Sequence, residues 1–212
     1  MGATSALFHC TQAYSKNYLR GVRAFEKKEY DLALMYLKSA SENRPKDANS
    51  RKLLVSINNK LGRHHKVLEH LDELQKYKNL SFATTVWIGD CYYSLDKFDK
   101  AEIAYLEALL IQPDFDVQLQ LAEVMAWQNK YDDAIGVLKQ LPKGQNVTEF
   151  LADVYSWDKD YEMAAKLYEE LYCDYQANTD VLLKLADALR ASKKDRMAIT
   201  YYKKYLELNG EL

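Results

Sequence analysis

The sequence predicts an all-α protein, an α-α superhelix in which short helix-turn-helix units stack into a solenoid. Two recurring signals carry this prediction. The first is a ring residue followed three positions later by alanine, a pair that recurs at intervals close to 34 residues or to twice that length. The second is a small residue at a fixed distance before each such alanine. The ring and alanine pairs are Tyr30/Ala33, Phe98/Ala101, Tyr131/Ala134 and Tyr161/Ala164. Units of this length cannot bury their apolar faces alone, so they stack and present a long surface.

The register follows when each alanine is taken as the twentieth place of its unit. The units then start at Tyr14, Ala48, Phe82, Phe115, Gln145 and Thr179. The eighth place, where two helices must approach closely, is glycine or alanine in all units except the second, which has Val55. His64 and Val67 also replace the ring and the alanine there, so we expect the second unit to pack less regularly. The sixth unit departs at the ring place, where it has Asp195.

Each unit divides into a first helix, a tight turn and a second helix. Apolar residues four apart, such as Leu121 and Met125, mark the buried stripe of the first helix. Turn segments such as 61–63 and 128–130 follow, and the second helix then begins at the ring place. Pro45 and Pro113 lie just past the second helices of the first and third units, where proline ends a helix.

With these features in phase, the chain resembles a tetratricopeptide repeat protein of about six repeats. The resemblance covers roughly residues 14–210 and is strongest from Phe82 to Pro113. It implies a right-handed superhelix whose concave groove, lined by the first helix of each repeat, holds a peptide or helix of a partner. We therefore expect residues 1–13 to form a lead-in segment and residues 14–212 to form one repeat array.

Signals of catalysis are absent from the sequence. It has no glycine-rich phosphate loop, no Gly-x-Ser-x-Gly segment and no paired CxxC motif. His65 and Glu69 could share a helix face, but the segment lacks the two histidines four residues apart of a helical zinc site. We predict a scaffold or adaptor that is not an enzyme and needs no cofactor or metal. A metal site at residues 64–70 is the rival hypothesis.

The predicted groove carries an acidic ladder in the ninth place of the third to sixth repeats. These residues are Asp90, Glu123, Asp153 and Asp187. Other inward places add Val86, Tyr93, Leu119, Trp127, Glu149, Trp157 and Leu183. Carboxylates alternating with rings suit a basic, partly apolar peptide, because arginine or lysine can pair with an acid and lie on an indole. The alternative is that acids at this place form only local hydrogen bonds.

Trp127 and Trp157 hold the same place in adjacent repeats. Such residues are either packing plugs between helices, which we favour, or anchors for a ligand in the groove. The surrounding pattern, Leu-Ala-acid-Val-x-x-Trp, is similar to repeats of bacterial cell-envelope and polysaccharide-export proteins. A fragment of a larger protein of that kind is therefore one alternative.

Charge is uneven along the chain, although the net charge is only −2. Residues 1–80 carry a net charge of +7 and residues 81–212 carry −9. This asymmetry predicts an axial dipole that could drive head-to-tail assembly, so self-association through the terminal faces is the main alternative function. The last repeat has no solvating helix after it, which also suggests a covered end or a fragment.

Several partner classes are disfavoured. Most tyrosines lie in the repeat register, so we expect no nucleic acid. The carboxylate clamp of co-chaperone repeats needs lysine and asparagine where this chain has Tyr18 and Val22, so that ligand is disfavoured. No segment approaches the roughly 20 apolar residues of a membrane span. Residues 1–10 lack the pattern of a signal peptide, which predicts a cytoplasmic location.

Overall fold

A computed structural model describes residues 2–77, 79–175 and 179–210, and all of its regular secondary structure in these ranges is helical. The helices are α1 (Gly2–Glu26), α2 (Tyr30–Asn43), α3 (Ala48–Lys60), α4 (His64–Gln75), α5 (Phe82–Tyr93), α6 (Phe98–Ile111), α7 (Phe115–Trp127), α8 (Tyr131–Leu138), α9 (Gln145–Trp157), α10 (Tyr161–Tyr175), α11 (Thr179–Ala191) and α12 (Asp195–Asn209). The predicted all-α class is confirmed. The last two residues of the predicted array, 211–212, lie outside the described ranges.

Helix starts coincide with the register read from the sequence. First helices begin at Ala48, Phe82, Phe115, Gln145 and Thr179, where units two to six are predicted to start. Second helices begin at the ring place in every repeat, including those with His64 and Asp195 there. The first helix differs, since α1 already begins at Gly2 and includes the predicted lead-in from that residue onward.

The chain forms two compact bodies, Met1–Leu95 and Asp96–Leu212. In the N-terminal body each helix from α1 to α5 packs against the next, and α1 also contacts α3. In the C-terminal body the same succession runs from α6 to α12. Within each body, helices that are neighbours in sequence are therefore neighbours in space, as in a stack of helical hairpins.

The turn inside each repeat has one residue with a left-handed backbone, always in the fifteenth place. These residues are Lys28, Gly62, Asp96, Asn129, Lys159 and Lys193, with φ between 54° and 69°. The amide of the residue after it then reaches back to close the helix end, as when Lys130 N–H donates to Met125 O at 2.9 Å. This is the Schellman arrangement, for which glycine is the preferred left-handed residue. Among the six repeats, only the second has glycine at this place, Gly62.

Close helix approach at the eighth place is visible in the first repeat. A Cβ on Gly21 would lie 2.6 Å from Leu37 Cγ, which is too close for an unshifted side chain. Leu37 is fully buried in a cluster with Ala33 and Leu54. Glycine here therefore allows α1 and α2 to meet.

Two irregularities of the repeat have simple structural outcomes. The fourth unit is short because α8 has only 8 residues, whereas α6 has 14. In the second repeat, the large residues Val55 and Val67 are 4% and 2% exposed. They fill the space between α3 and α4 rather than preventing the helices from packing, so the expected irregularity of this repeat does not reach its secondary structure.

Candidate functional site

The predicted groove residues divide between the two bodies. Val86, Asp90 and Tyr93 lie on α5 of the N-terminal body, where each is half-buried. The other eight lie on α7, α9 and α11 of the C-terminal body. They are Leu119, Glu123, Trp127, Glu149, Asp153, Trp157, Leu183 and Asp187.

Asp153, on α9, is held by side chains of its own body. Tyr168 Oη, on α10, donates a hydrogen bond to Asp153 Oδ1 at 2.5 Å. Lys184, on α11, places Nζ 2.9 Å from Asp153 Oδ1 and 3.0 Å from Glu149 Oε1. Lys184 also lies over the Tyr168 ring, 5.9 Å from its centroid. Two of the predicted recognition carboxylates are thus bound to a lysine and a tyrosine of the same chain.

The pKa values in this cluster follow from burial and pairing. Burial raises the pKa of Tyr168, and the hydrogen bond to Asp153 adds to the rise because Tyr168 donates to a carboxylate. For Lys184, burial lowers the pKa, but the hydrogen bonds to Asp153 and Glu149 outweigh it and the net direction is upward. Tyr168 is therefore neutral and Lys184 is charged at neutral pH.

Asp187, in the last ladder position, is exposed but also bonded. Tyr202 Oη donates to its Oδ1 at 2.5 Å, and Arg190 Nη2 lies 3.5 Å from the same oxygen. Tyr202 follows Asp187 by 15 residues, the same separation as Tyr168 and Asp153. Asp153 and Asp187 therefore each accept a hydrogen bond from a tyrosine of the second helix in the same repeat.

Trp127 and Trp157 form the centre of an aromatic row in the C-terminal body. Their rings stack with centroids 6.0 Å apart and planes at 28°. Phe98 stacks on the outer side of Trp127 at 6.4 Å, and Phe150 meets Trp157 edge-on at 6.1 Å. The two indoles nevertheless stay 52% and 42% exposed. They pack against other rings and still expose about half of their surface to solvent.

Sequence reasoning missed two members of the aromatic row, Phe98 and Phe150, and four partners of the acids, which are Tyr168, Lys184, Arg190 and Tyr202. One signal could have revealed the tyrosines, because a ninth-place aspartate followed 15 residues later by tyrosine occurs at Asp90, Asp153 and Asp187. Lys184 gave no such signal, since its two partners lie 31 and 35 residues away.

The histidine segment contains no metal-binding geometry. Across the described residues, no three His, Cys, Asp or Glu side chains come together in a way that could hold an ion. His64 and His65 are exposed at the start of α4. Within those residues there is also no helix with the length and apolarity that a membrane crossing requires.

Comparison with protein families gives one consistent result. Two models, both described as tetratricopeptide repeat, match the chain, one at residues 86–115 and the other at 116–143 and 180–210. These segments correspond to the third, fourth and sixth repeats. None of the curated proteins matches the sequence significantly.

Solved structures of similar fold come from repeat proteins. The C-terminal part of a TPR repeat-containing protein from Cytophaga hutchinsonii aligns with a TM-score of 0.65 at 15% identity, covering 90% of this chain and 78% of that one. PilW, a type IV pilus biogenesis factor, gives 0.58 at 16%, covering 92% and 93%. PilF of Pseudomonas aeruginosa gives 0.53 at 17%, covering 94% and 93%. At these identities the likeness establishes the fold alone.

Proposed function

The chain is a tetratricopeptide repeat protein, a protein-interaction scaffold, and we propose that it works without catalysis by holding a basic segment of a partner in its groove. The exposed tryptophan pair carries this proposal. Trp127 and Trp157 stack on each other in the C-terminal body yet keep 52% and 42% of their surface in solvent. Large exposed rings in a row are typical of a surface that a partner covers.

The proposed contact chemistry combines these rings with carboxylates. Glu123 precedes Trp127 by four residues on α7, and Asp153 precedes Trp157 by four on α9, so each acid lies one turn from its ring. Asp158 follows Trp157 directly and is exposed. A guanidinium can lie flat on an indole while it hydrogen-bonds a carboxylate, which favours arginine over lysine in the partner.

Two of the predicted ladder residues already have partners within the chain. Asp153 is engaged by Tyr168 and Lys184, and Asp187 by Tyr202 and Arg190. A ligand cation would have to displace or share those partners. We therefore assign the leading role to the aromatic row and a supporting, charge-steering role to the acids.

The experiment measures binding of an arginine-rich hexapeptide by calorimetry, with a citrulline version as the uncharged control. The test variant is W127A/W157A. The matched control is I103A/L110A, which also removes two exposed apolar side chains from the C-terminal body (51% and 88% exposed). We expect the tryptophan variant to bind at least about tenfold more weakly, since losing two ring contacts removes more than about 1.4 kcal/mol. Equal losses in both variants, or equal binding of the citrulline peptide, would contradict the proposal.

The native partner can be sought by affinity capture from the cell extract at low and moderate salt. Wild-type protein and W127A/W157A are compared. A quadruple alanine variant of the acidic ladder is a poor probe, because removing Asp153 leaves the buried Tyr168 hydroxyl without its acceptor. A salt-sensitive protein captured only by the wild type would be the proposed partner.

Self-association is the second candidate function, and charge distribution favours it. Residues 1–95 carry 15 basic and 9 acidic side chains, whereas residues 96–212 carry 14 and 22. Opposite charge on two bodies would attract separate copies at low ionic strength. Light scattering that shows a mass rising with concentration at low salt would support this function, and a monomer throughout would remove it. A cytoplasmic location and an origin in a larger envelope or export protein stay predictions.

A further inference from the structure

A cavity of about 490 Å³ lies in the N-terminal body between α2, α3 and α4. Leu34 of α2 and Leu54 of α3 supply apolar surface to it. Lys38, Arg63 and His65 line it with cationic or imidazole groups. The size falls within the range of roughly 300–1,000 Å³ that small-molecule sites occupy. An apolar wall with a few basic groups is the composition expected for an organic anion.

The basic groups of the cavity are available to a ligand. Among the described residues, Lys38, Arg63 and His65 have no carboxylate within ion-pair distance. Lys66, which also lines the cavity, is paired with Glu69 at 2.8 Å. In the described part of the chain, Glu69 is the one carboxylate in the lining. The lining therefore has an excess of positive charge that the fold itself does not neutralise.

His70 closes the cavity from α4 and is half-buried. Burial lowers its pKa, and the charge of Arg51 lowers it further. At neutral pH it is thus an uncharged imidazole, which can donate or accept one hydrogen bond. His70 can therefore form a hydrogen bond with a ligand in the cavity, and it brings no negative charge to the lining.

The cavity lies at the repeat that departs most from the register. His64 and Val67 stand where a ring and an alanine are expected, and three histidines fall within seven residues of α4. Departures from a local pattern are expected at sites under functional constraint. Here His64 and Val67 adjoin His65 and Lys66 in sequence, and these two residues line the basic, apolar-walled cavity.

From these observations we propose that the cavity is a binding site for a small organic acid, with its anionic group at Lys38 and Arg63 and its apolar body against Leu34 and Leu54. The arginine fork can hold a carboxylate through two parallel hydrogen bonds. This site is separate from the aromatic row, so its failure would leave the proposed scaffold function standing.

The test is a titration of the whole chain with 1-naphthoate, followed through the imidazole resonances of the four histidines by NMR. Neutral 1-naphthalenemethanol and acetate are the comparison ligands, because each keeps only one half of the proposed chemistry. We expect naphthoate to shift the signals of His65 and His70 with saturation, and both comparison ligands to bind at least about tenfold more weakly, since each lacks more than 1.4 kcal/mol of contact.

Two variants change the site in opposite directions. K38Q/R63Q removes two exposed cations from the rim, and we expect at least about tenfold weaker binding of naphthoate. E69Q removes the lining carboxylate and releases Lys66, so we expect tighter binding. K16Q/R23Q removes the same charge from exposed positions of α1 and should bind as the wild type does.

Thermal unfolding of each variant verifies that the body is intact before binding is compared. Failure of the wild type to bind naphthoate would overturn the proposal. So would equal affinity for the neutral alcohol, equal affinity for acetate, or equal loss in the rim variant and in K16Q/R23Q. The neutral alcohol tests whether the anionic group is needed, and acetate tests whether the apolar body is needed. K16Q/R23Q tests whether the effect depends on the position of the removed charges.

Discussion

The second and fifth repeats share one register but use their polar residues differently. In the fifth repeat, the ninth-place Asp153 accepts a hydrogen bond from Tyr168 and forms an ion pair with Lys184. In the second repeat, the equivalent places hold Ser56 and Leu71, which cannot form such a lock. The ninth-place acid of the fifth repeat is thus held by a tyrosine of its own repeat and by a lysine of the next one.

The second repeat pairs other charges, since Lys66 lies 2.8 Å from Glu69 and Lys76 pairs with Glu73. Arg63, also of this repeat, borders the cavity with no carboxylate within ion-pair distance among the described residues. The contrast teaches that one register accommodates a lock at the ninth place of one repeat and a cavity with an unneutralised cation in another.

The largest effect is expected from D153A. This substitution leaves the Tyr168 hydroxyl without its acceptor at a residue that is 2% exposed. An unsatisfied buried group costs about 1–3 kcal/mol, so we expect a loss of about 2 kcal/mol in the free energy of unfolding. Urea denaturation followed by circular dichroism measures it.

The matched control for D153A is S56A, at the same place of the second repeat. Ser56 is half-buried and has no hydrogen bond within the described residues, so we expect a change within about 0.5 kcal/mol. If the two substitutions cost the same, the lock in the fifth repeat contributes nothing and the comparison between the repeats is wrong.

Alkaline pH should weaken the same lock. The pKa of Tyr168 is raised above its ordinary value of 10.0, so its contribution is fully present below pH 10 and is lost as pH rises further. The raised pKa of Lys184 acts in the same direction. Between pH 10 and 11 the wild type should lose up to about 1.4 kcal/mol per pH unit from Tyr168 alone.

The variant Y168F has no phenol to titrate at this position. Its urea midpoint should therefore fall less steeply above pH 10 than that of the wild type. Other tyrosines, such as Tyr14 with a pKa raised to about 12, titrate in both proteins and cancel in the difference. Parallel curves for the two proteins would show that Tyr168 makes no pH-dependent contribution.

At the turn, the second repeat has the more favourable residue and the fifth repeat the less favourable one. The expected effect on the free energy of unfolding is smaller than that of D153A. Gly62 has φ +67°, so G62A should destabilise the protein by about 1 kcal/mol. Lys159 has φ 69° at the equivalent place, so K159G should stabilise it by up to about 1 kcal/mol. Thermal unfolding of the two variants gives both signs, and the same sign for both would contradict the turn geometry.

Much of the fold could be predicted because its signals are local and repeated. Helix starts at Ala48, Phe115 and Gln145 follow from a period that recurs many times along the chain. The second repeat shows the limit of that reasoning. Its weak signature predicted irregular packing, but Val55 and Val67 are buried and both helices form, because larger apolar residues can fill the same space.

The candidate site could be predicted only in outline. The sequence placed Trp127 and Trp157 together through their common place in adjacent repeats, and their rings do stack. It did not predict that Phe98 and Phe150 extend the row, or that the indoles remain half-exposed. Exposure depends on what the neighbouring repeat covers, which a single repeat does not encode.

The sequence by itself determined the repeat class, the register and the residues at which the helices begin. Only the tertiary structure decided which carboxylates are engaged, because Asp153 meets Lys184 across 31 residues of chain. It also decided where a cavity remains, since the space between α2, α3 and α4 depends on how three helices pack. The sequence period fixes which helix face each residue occupies. Ion pairs and cavities depend on the distances between helix faces, which the period does not fix.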